Sequence, residues 1–143
     1  MLEARRYEED STPEEIELLR KQVYVYEDEN DIIYYKEAVR YSEFQLDIYF
    51  EEVEKLVTHR GFFYFLIDLV DTERPSAKIR SYLKYKFKPY VKRMHVAAYT
   101  GKNVWMNMAA KFVMSGTFDS FSIHKTKEEA LAELHGRVHR RRG

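Results

Sequence analysis

The stretch that most constrains the fold is the apolar run FFYFLIDL at residues 62–69. It has the length of a strand, and it lacks the alternation of polar and apolar residues that a half-exposed strand shows. Such a continuous run is typical of a strand that is covered on both faces, as in a parallel sheet flanked by helices. The run therefore predicts an α/β fold built around this strand.

The flanking segments have helical spacing, which supports this interpretation. Apolar residues recur every three or four positions from Leu46 to Val57, and again at Ile79, Leu83 and Phe87. Further strands are predicted over residues 91–99 and 118–124, and a hairpin over 22–38 with its polar turn at EDEND, residues 27–31. The predicted order is ββαβαβαβα: a mixed, mostly parallel sheet of about five strands with about four helices.

The length of 143 residues suits one domain. We predict a peripheral segment over residues 1–21 with a short helix at 13–21, a domain over 22–135 and a basic tail over 136–143. Ser11 or Thr12 is the expected cap of the short helix, with Pro13 at its first position.

Composition excludes several classes of protein. The chain has no cysteine, which suits a cytoplasmic location, and its charged first residues do not form a signal peptide. No apolar run reaches the length of a membrane span. The formal net charge is zero, so a general nucleic-acid binder is not expected. Residues 1–60 nevertheless carry a net charge of −9 and residues 61–143 one of +9. The fold either mixes these charges on its surface or presents two oppositely charged sides.

Polar residues follow the central strand, and Asp71, Thr72 and Ser76 are the candidate loop residues. In the simplest interpretation Asp71 or Thr72 caps the next helix, Pro75 lies in its first turn and Ser76 faces water. Alternatively, the loop recognises a partner or is phosphorylated at Thr72 or Ser76, since a helix N-terminus favours a phosphate.

Two further groups of residues allow a structural and a functional interpretation. Lys78, Arg80 and Lys84 form either a solvated helix face or a surface for an acidic partner. Trp105, Met108 and Phe112 are either core or the wall of an apolar pocket. The many tyrosines between residues 24 and 49 are either core or part of a dimer surface.

No catalytic or metal-binding motif is present. The sequence lacks a phosphate-binding glycine loop and a nucleophile elbow, and His135 and His139 have no metalloprotease glutamate. Asp68 and Asp71 are a weak candidate for acid–base hydrolysis. We expect no enzyme activity, no cofactor and no metal.

Over residues 22–135 the chain resembles the SpoIIAA-like group of the STAS superfamily, the anti-sigma-factor antagonists. The resemblance rests on the apolar strand ending in Asp68-Leu69, on KPYVKRMHVAAYTGKNVW with its turn from Thr100 to Asn103, on the Ala-rich helix around Ala109, and on the T-x-E-E-A opening of the last helix. In phosphorylated members a serine begins the helix after the central strand. That position falls at Ser76 or Ala77, where this chain reads RPSAK without the family's preceding acidic residue or its glycine.

The resemblance implies a bacterial regulatory or protein-interaction module that forms a homodimer and acts through the loop and helix after the central strand. The related SEC14-like folds imply the alternative, a carrier of a small apolar or lipid-like ligand. The partner protein is not identified by the sequence.

Overall fold

The computed structural model describes residues 5–26 and 32–142. Its helices are α1 (Pro13–Arg20), α2 (Glu43–Val57), α3 (Ala77–Phe87), α4 (Val104–Thr117) and α5 (Lys127–Arg142). Its strands are β1 (Val23–Val25), β2 (Ile32–Lys36), β3 (Phe63–Asp68), β4 (Met94–Tyr99) and β5 (Phe121–His124). The expected hairpin turn at 27–31 lies outside the described residues.

The strands form one sheet in the order β1-β2-β3-β4-β5. β1 pairs antiparallel with β2, and the other neighbours pair in parallel, with Phe63 opposite Met94 and Val96 opposite Phe121. The predicted α/β class and its mixed, mostly parallel sheet are therefore confirmed.

β3 lies at the centre of the sheet, and the five residues from Phe63 to Ile67 are buried. Phe63, Phe65 and Ile67 pack into one hydrophobic cluster, whereas Tyr64 and Leu66 pack into a second one on the opposite face. This coverage of both faces explains why the run shows no alternation in the sequence.

Strand order determines which helices cover each face. When successive parallel strands are added in the same direction across a sheet, right-handed crossovers place all the connecting helices on the same face. Accordingly, buried residues of α2, α3 and α4 belong to the first cluster, whereas Ala130 and Leu134 of α5 belong to the second. α5, which follows the last strand, thus packs on the sheet face opposite the three crossover helices.

Five details differ from the sequence predictions. The described residues form five helices rather than four. The strand predicted over 118–124 begins at Phe121. A single 3₁₀ turn, Val91–Arg93, precedes β4, so this strand begins at Met94. The last helix does not end at residue 135 but continues to Arg142. The N-terminal segment also contributes to the core, because Tyr7 and Leu19 are buried.

Side-chain caps fix the start of several helices. Thr12 caps α1 in a capping box with Glu15, and Asn103 accepts from the Met106 N–H at the start of α4. Ser42 and Gln45 have the spacing of a capping box in the sequence. Ser42 does cap α2, although the Gln45 side chain does not complete the box. The caps at Thr12 and Ser42 could be predicted from the sequence because capping depends only on neighbouring residues.

Candidate functional site

The outer face of α4 carries large apolar side chains that remain exposed. Val104, Trp105, Met108 and Phe112 are 68%, 79%, 57% and 61% exposed. Their spacing of i, i+1, i+4 and i+8 places them on one side of the helix, whereas Ala110 and Met114 face the core. We call these four residues the α4 stripe. A contiguous apolar patch of this kind marks an interaction site more often than a scattered exposed residue does.

The α4 stripe borders an open groove of about 540 Å³. Trp105, Met108 and Phe112 line it from α4, and Thr72 and Arg74 line it from the loop after β3. The structure therefore brings together residues that the sequence analysis had assigned to an apolar pocket and to a partner loop. Trp105, Met108 and Phe112 form an open surface rather than the wall of a closed pocket.

The α4 stripe has a second groove along its other edge, the one that faces α3. Arg80, Lys84 and Phe112 line this groove. The Arg80 guanidinium lies 5.3 Å from the centre of the Phe112 ring and donates to the Pro75 carbonyl at 3.1 Å. Lys78 instead pairs with Glu43 of α2 at 3.2 Å, outside these grooves. Of the three predicted basic residues, Arg80 and Lys84 thus lie beside the stripe.

Among the described residues, only cations supply charge to the two grooves. Arg74, Arg80 and Lys84 are their charged lining residues, with no carboxylate among them. α4 itself contains no acidic residue. The α4 stripe is therefore an apolar surface with a positive margin.

The loop residues have different structural roles. Ser76 is the N-cap of α3, accepting from the Ile79 N–H at 3.2 Å, so the cap is neither Asp71 nor Thr72. Its side chain is exposed, as a phosphorylation site requires. Asp71 is exposed in the left-handed region at φ 65°, which an aspartate tolerates in a turn. Thr72 is buried, and its Oγ1 has no hydrogen-bond partner among the described residues.

Sequence analysis did not identify Glu37, which follows β2. Glu37 is only 4% exposed and lines a small cavity of about 50 Å³ below α3 and α4. Burial raises the pKa of Glu37 to about 8, although the hydroxyl groups of Tyr35 and Tyr41 and the charge of Lys36 oppose that rise. In the sequence it looks like any surface glutamate after a strand, so no local signal distinguishes it.

The tyrosines of the first half divide between core and surface. Tyr35, Tyr41 and Tyr49 are buried, and burial raises the pKa of each hydroxyl well above its ordinary value. Tyr24 is 42% exposed and packs against Tyr34. Core packing therefore accounts for most of them, as cross-strand and strand–helix contacts.

Asp68 takes part in a hydrogen-bonded network at the end of β3. It accepts from the Tyr34 hydroxyl at 2.9 Å and from the Val70 N–H at 2.8 Å, and it pairs with Lys36 at 3.2 Å. These contacts fix the carboxylate in the turn. Asp71 is not among its contacts, so the structure gives no support to a pair of catalytic aspartates.

A second polar network lies between β4, β5 and α5. His95 is 1% exposed, and its ring nitrogens contact Ser120 Oγ at 2.6 Å and Glu133 Oε1 at 2.9 Å. Burial disfavours ionised Glu133, but hydrogen bonds from His95, Arg137 and Ser122 outweigh it and lower its pKa to about 2. This network satisfies a buried histidine and ties α5 to the sheet.

Within residues 5–26 and 32–142, no group of three or more histidine, aspartate or glutamate side chains could hold a metal ion. Among the helices of the same ranges, none has both the length and the apolar character that spanning a bilayer requires.

No family model, curated protein or solved structure matches the chain. The resemblance to the SpoIIAA-like group therefore rests only on the residues quoted above, and it stays a prediction.

Proposed function

We propose that this protein is an interaction module that binds an acidic amphipathic segment of a partner protein along the α4 stripe. One observation carries the proposal: four large apolar side chains on one helix face are each more than half exposed. A partner that covers this surface would stabilise the complex by about 25 cal/mol for each Å² of apolar area removed from water.

The shape of the surface favours a helical partner. The stripe follows one helix for about two turns and is bordered by grooves on both sides. Amphipathic helices bind in this way by inserting apolar residues at positions i, i+3, i+4 and i+7. The module would act without chemistry of its own, as the SpoIIAA-like resemblance also implies.

The charge of the surface favours an acidic partner. Arg74, Arg80 and Lys84 would face carboxylates at the edges of the bound helix, which steers association and sets its orientation. A symmetric dimer through the same face would place cations opposite cations. The expected homodimer therefore stays a separate prediction, and a second copy on this face is an outcome that the test would reveal.

Binding can be measured through Trp105, the only tryptophan of the chain. An 18-residue helical peptide with leucines on one face and glutamates beside them should shift the Trp105 emission to the blue and saturate. The same peptide with lysines in place of glutamates should bind at least about tenfold more weakly, and added salt should reduce this difference.

Matched variants locate the surface. Met108→Asp should weaken binding by at least about tenfold, whereas Tyr85→Asp, at a somewhat more exposed site on the other side of α3, should not. Lys84→Glu should weaken binding and Lys88→Glu should leave it unchanged. Equal binding of both peptides, or loss of a self-associated species in Met108→Asp, would contradict an acidic partner.

A small-ligand carrier finds less support. The cavity beside Glu37 measures about 50 Å³, whereas ligand sites of drug-like size occupy about 300–1,000 Å³. A lipid would not fit inside without displacement of α3 or α4.

A further inference from the structure

The small cavity between β3, α3 and α4 adjoins the two grooves that border the α4 stripe. Four residues of α4 line both the cavity and one of the grooves: Met106, Ala109, Val113 and Thr117. They follow one another at spacings of three and four, so they share one side of the helix. Methionine is unbranched, and Met106 can therefore change rotamer to admit a group from the groove. The cavity is within reach of a partner helix that binds along the stripe.

The lining of the cavity favours an apolar occupant. Most of the lining residues are apolar, and they include Ile67, Leu69, Leu83, Phe87 and Met114. The polar ones already have partners within the chain. The Glu37 carboxyl is hydrogen-bonded by the Tyr35 and Tyr41 hydroxyls. Thr117 Oγ1 donates to the Val113 carbonyl at 2.8 Å. A hydrocarbon group would therefore gain dispersion contacts there without displacing a hydrogen bond.

The size of the cavity suits the end of one side chain. Its volume is about 50 Å³. A water molecule in the liquid occupies about 30 Å³, so this space holds about three carbon atoms. The branched end of a leucine has that size, whereas the ring of a phenylalanine is larger and the methyl group of an alanine is smaller. Anchors of this kind supply much of the affinity when a helix binds in a groove.

Arg80 provides a charged group beside the cavity. Its guanidinium extends from α3 to the Phe112 ring of α4, and it donates to the carbonyl of Pro75, a residue that also lines the cavity. A guanidinium has five N–H donors, and this contact uses one of them. A carboxylate of a bound partner can therefore pair with Arg80 while that contact is retained.

We infer that one leucine of the bound partner helix inserts into this cavity, and that a carboxylate one turn from that leucine pairs with Arg80. The inference rests on the proposed function, because it names the anchor of the same partner. Residues three or four positions apart lie on the same side of a helix, so a single turn presents both groups. The recognition element of the partner is a leucine with a glutamate three or four residues away.

Methionine methyl groups test the insertion directly. Met108 lies on the α4 stripe, Met114 lines the cavity and is 3% exposed, and Met94 is equally buried at the start of β4 but does not line the cavity. The probe is the leucine–glutamate peptide with ¹³C-labelled methyl groups on one leucine at a time. The Met108 and Met114 signals should shift with the same dissociation constant, and Met94 should not respond. The methyl groups of one leucine should show nuclear Overhauser contacts to the Met114 methyl group.

The same spectra separate this inference from the proposed function. A saturable shift of Met108 without any contact to Met114 would overturn the inference and leave binding along the stripe intact. The absence of any shift at Met108 would overturn the proposed function, and the inference with it.

Ala110→Val fills the cavity from its buried side, because Ala110 lines the cavity and neither groove. On the wild type, alanine in place of the inserted leucine should weaken peptide binding by at least about tenfold. On Ala110→Val the same replacement should change binding by less than about twofold. Ala132→Val, at an exposed site on α5, is the matched control and should behave as the wild type. Val113→Ile fills the cavity more mildly if Ala110→Val does not fold. An equal loss in the wild type and the filled variant would overturn the inference.

Arg80→Met removes the charge beside the cavity and keeps an apolar contact with Phe112. Glutamine in place of the glutamate next to the inserted leucine should weaken binding to the wild type by about threefold and leave binding to Arg80→Met unchanged. Lys84→Met is the control and should retain the preference for glutamate at this position. A preference that survives in Arg80→Met would overturn the pairing with Arg80.

Discussion

Single residues of this protein show how the balance of burial and hydrogen bonding, rather than residue type, determines the pKa of a side chain. Glu37 and Glu133 are both glutamates beside the sheet, yet the pKa of Glu37 is raised to about 8 and that of Glu133 is lowered to about 2. Burial opposes ionisation in both. Only Glu133 has hydrogen bonds from a histidine, an arginine and a serine that overcome it.

The raised pKa of Glu37 predicts a pH-dependent stability. In the unfolded chain this group ionises near pH 4.5, and in the folded protein near pH 8. The folded state holds its proton between these values, so the contribution of Glu37 is complete below pH 4.5 and is lost as the pH rises through 8. The free energy of unfolding should fall by up to ~1.4 kcal/mol per pH unit in this window relative to Glu37→Gln.

Urea unfolding between pH 4 and pH 9 measures this difference. Glu54→Gln on the exposed side of α2 is the control, and it should follow the wild type at every pH. If the stability of Glu37→Gln parallels that of the wild type across the series, Glu37 has the same pKa in the folded protein as in the unfolded chain.

At the scale of elements, α3 and α4 each begin at a capping residue, and each lines a groove beside the α4 stripe. The Ser76 cap begins α3, and the Asn103 cap begins α4. Both helices bury one side and present the other to the grooves beside the α4 stripe. The start of α3 therefore influences the position of Arg80 and Lys84.

Ser76→Ala should reduce the free energy of unfolding by about 1 kcal/mol, because the Ile79 N–H loses its acceptor. Ser76→Asp should retain stability, since aspartate caps a helix equally well and its charge is favourable at the N-terminus. Thermal unfolding of both variants beside Ser81→Ala, an exposed site on the same helix, measures the effect. A Ser76→Ala protein as stable as the wild type would show that water accepts the hydrogen bond from the Ile79 N–H.

At the scale of the whole molecule, the two sheet faces are covered unequally. α2, α3 and α4 pack on one face, whereas α5 packs on the other through Ala130 and Leu134. The network of His95 and Glu133 adds polar contacts at the same junction. The second face of β3 and β4 therefore depends on one helix.

Removal of residues 126–143 should expose Tyr64, Leu66 and Ala97 and prevent cooperative folding. A chain ending at His139 keeps Leu134 and Glu133 and should fold. Circular dichroism and binding of a hydrophobic dye distinguish the two. A cooperative unfolding transition in the shorter chain would show that the first face alone sustains the fold.

The sequence by itself determined the features that depend on neighbouring residues. The run at 62–69 identified the central strand, helical spacing located α2 and α3, and cap residues placed the start of α1 and α2. It also identified the loop, the basic helix and the apolar residues of α4, although as separate candidates. The SpoIIAA-like resemblance, the homodimer and the cytoplasmic location stay predictions.

Only the tertiary structure decided which of these residues meet and which are exposed. Both sides of α4 carry apolar residues, so spacing alone does not say which side is buried. Packing against β5 and α3 determined that Ala110 and Met114 turn inward while Trp105 remains in water. The burial of Glu37 was equally hidden, because α3 and α4 close over it from residues 40 to 80 positions away. Exposure and pKa depend on such distant contacts, and a local pattern does not contain them.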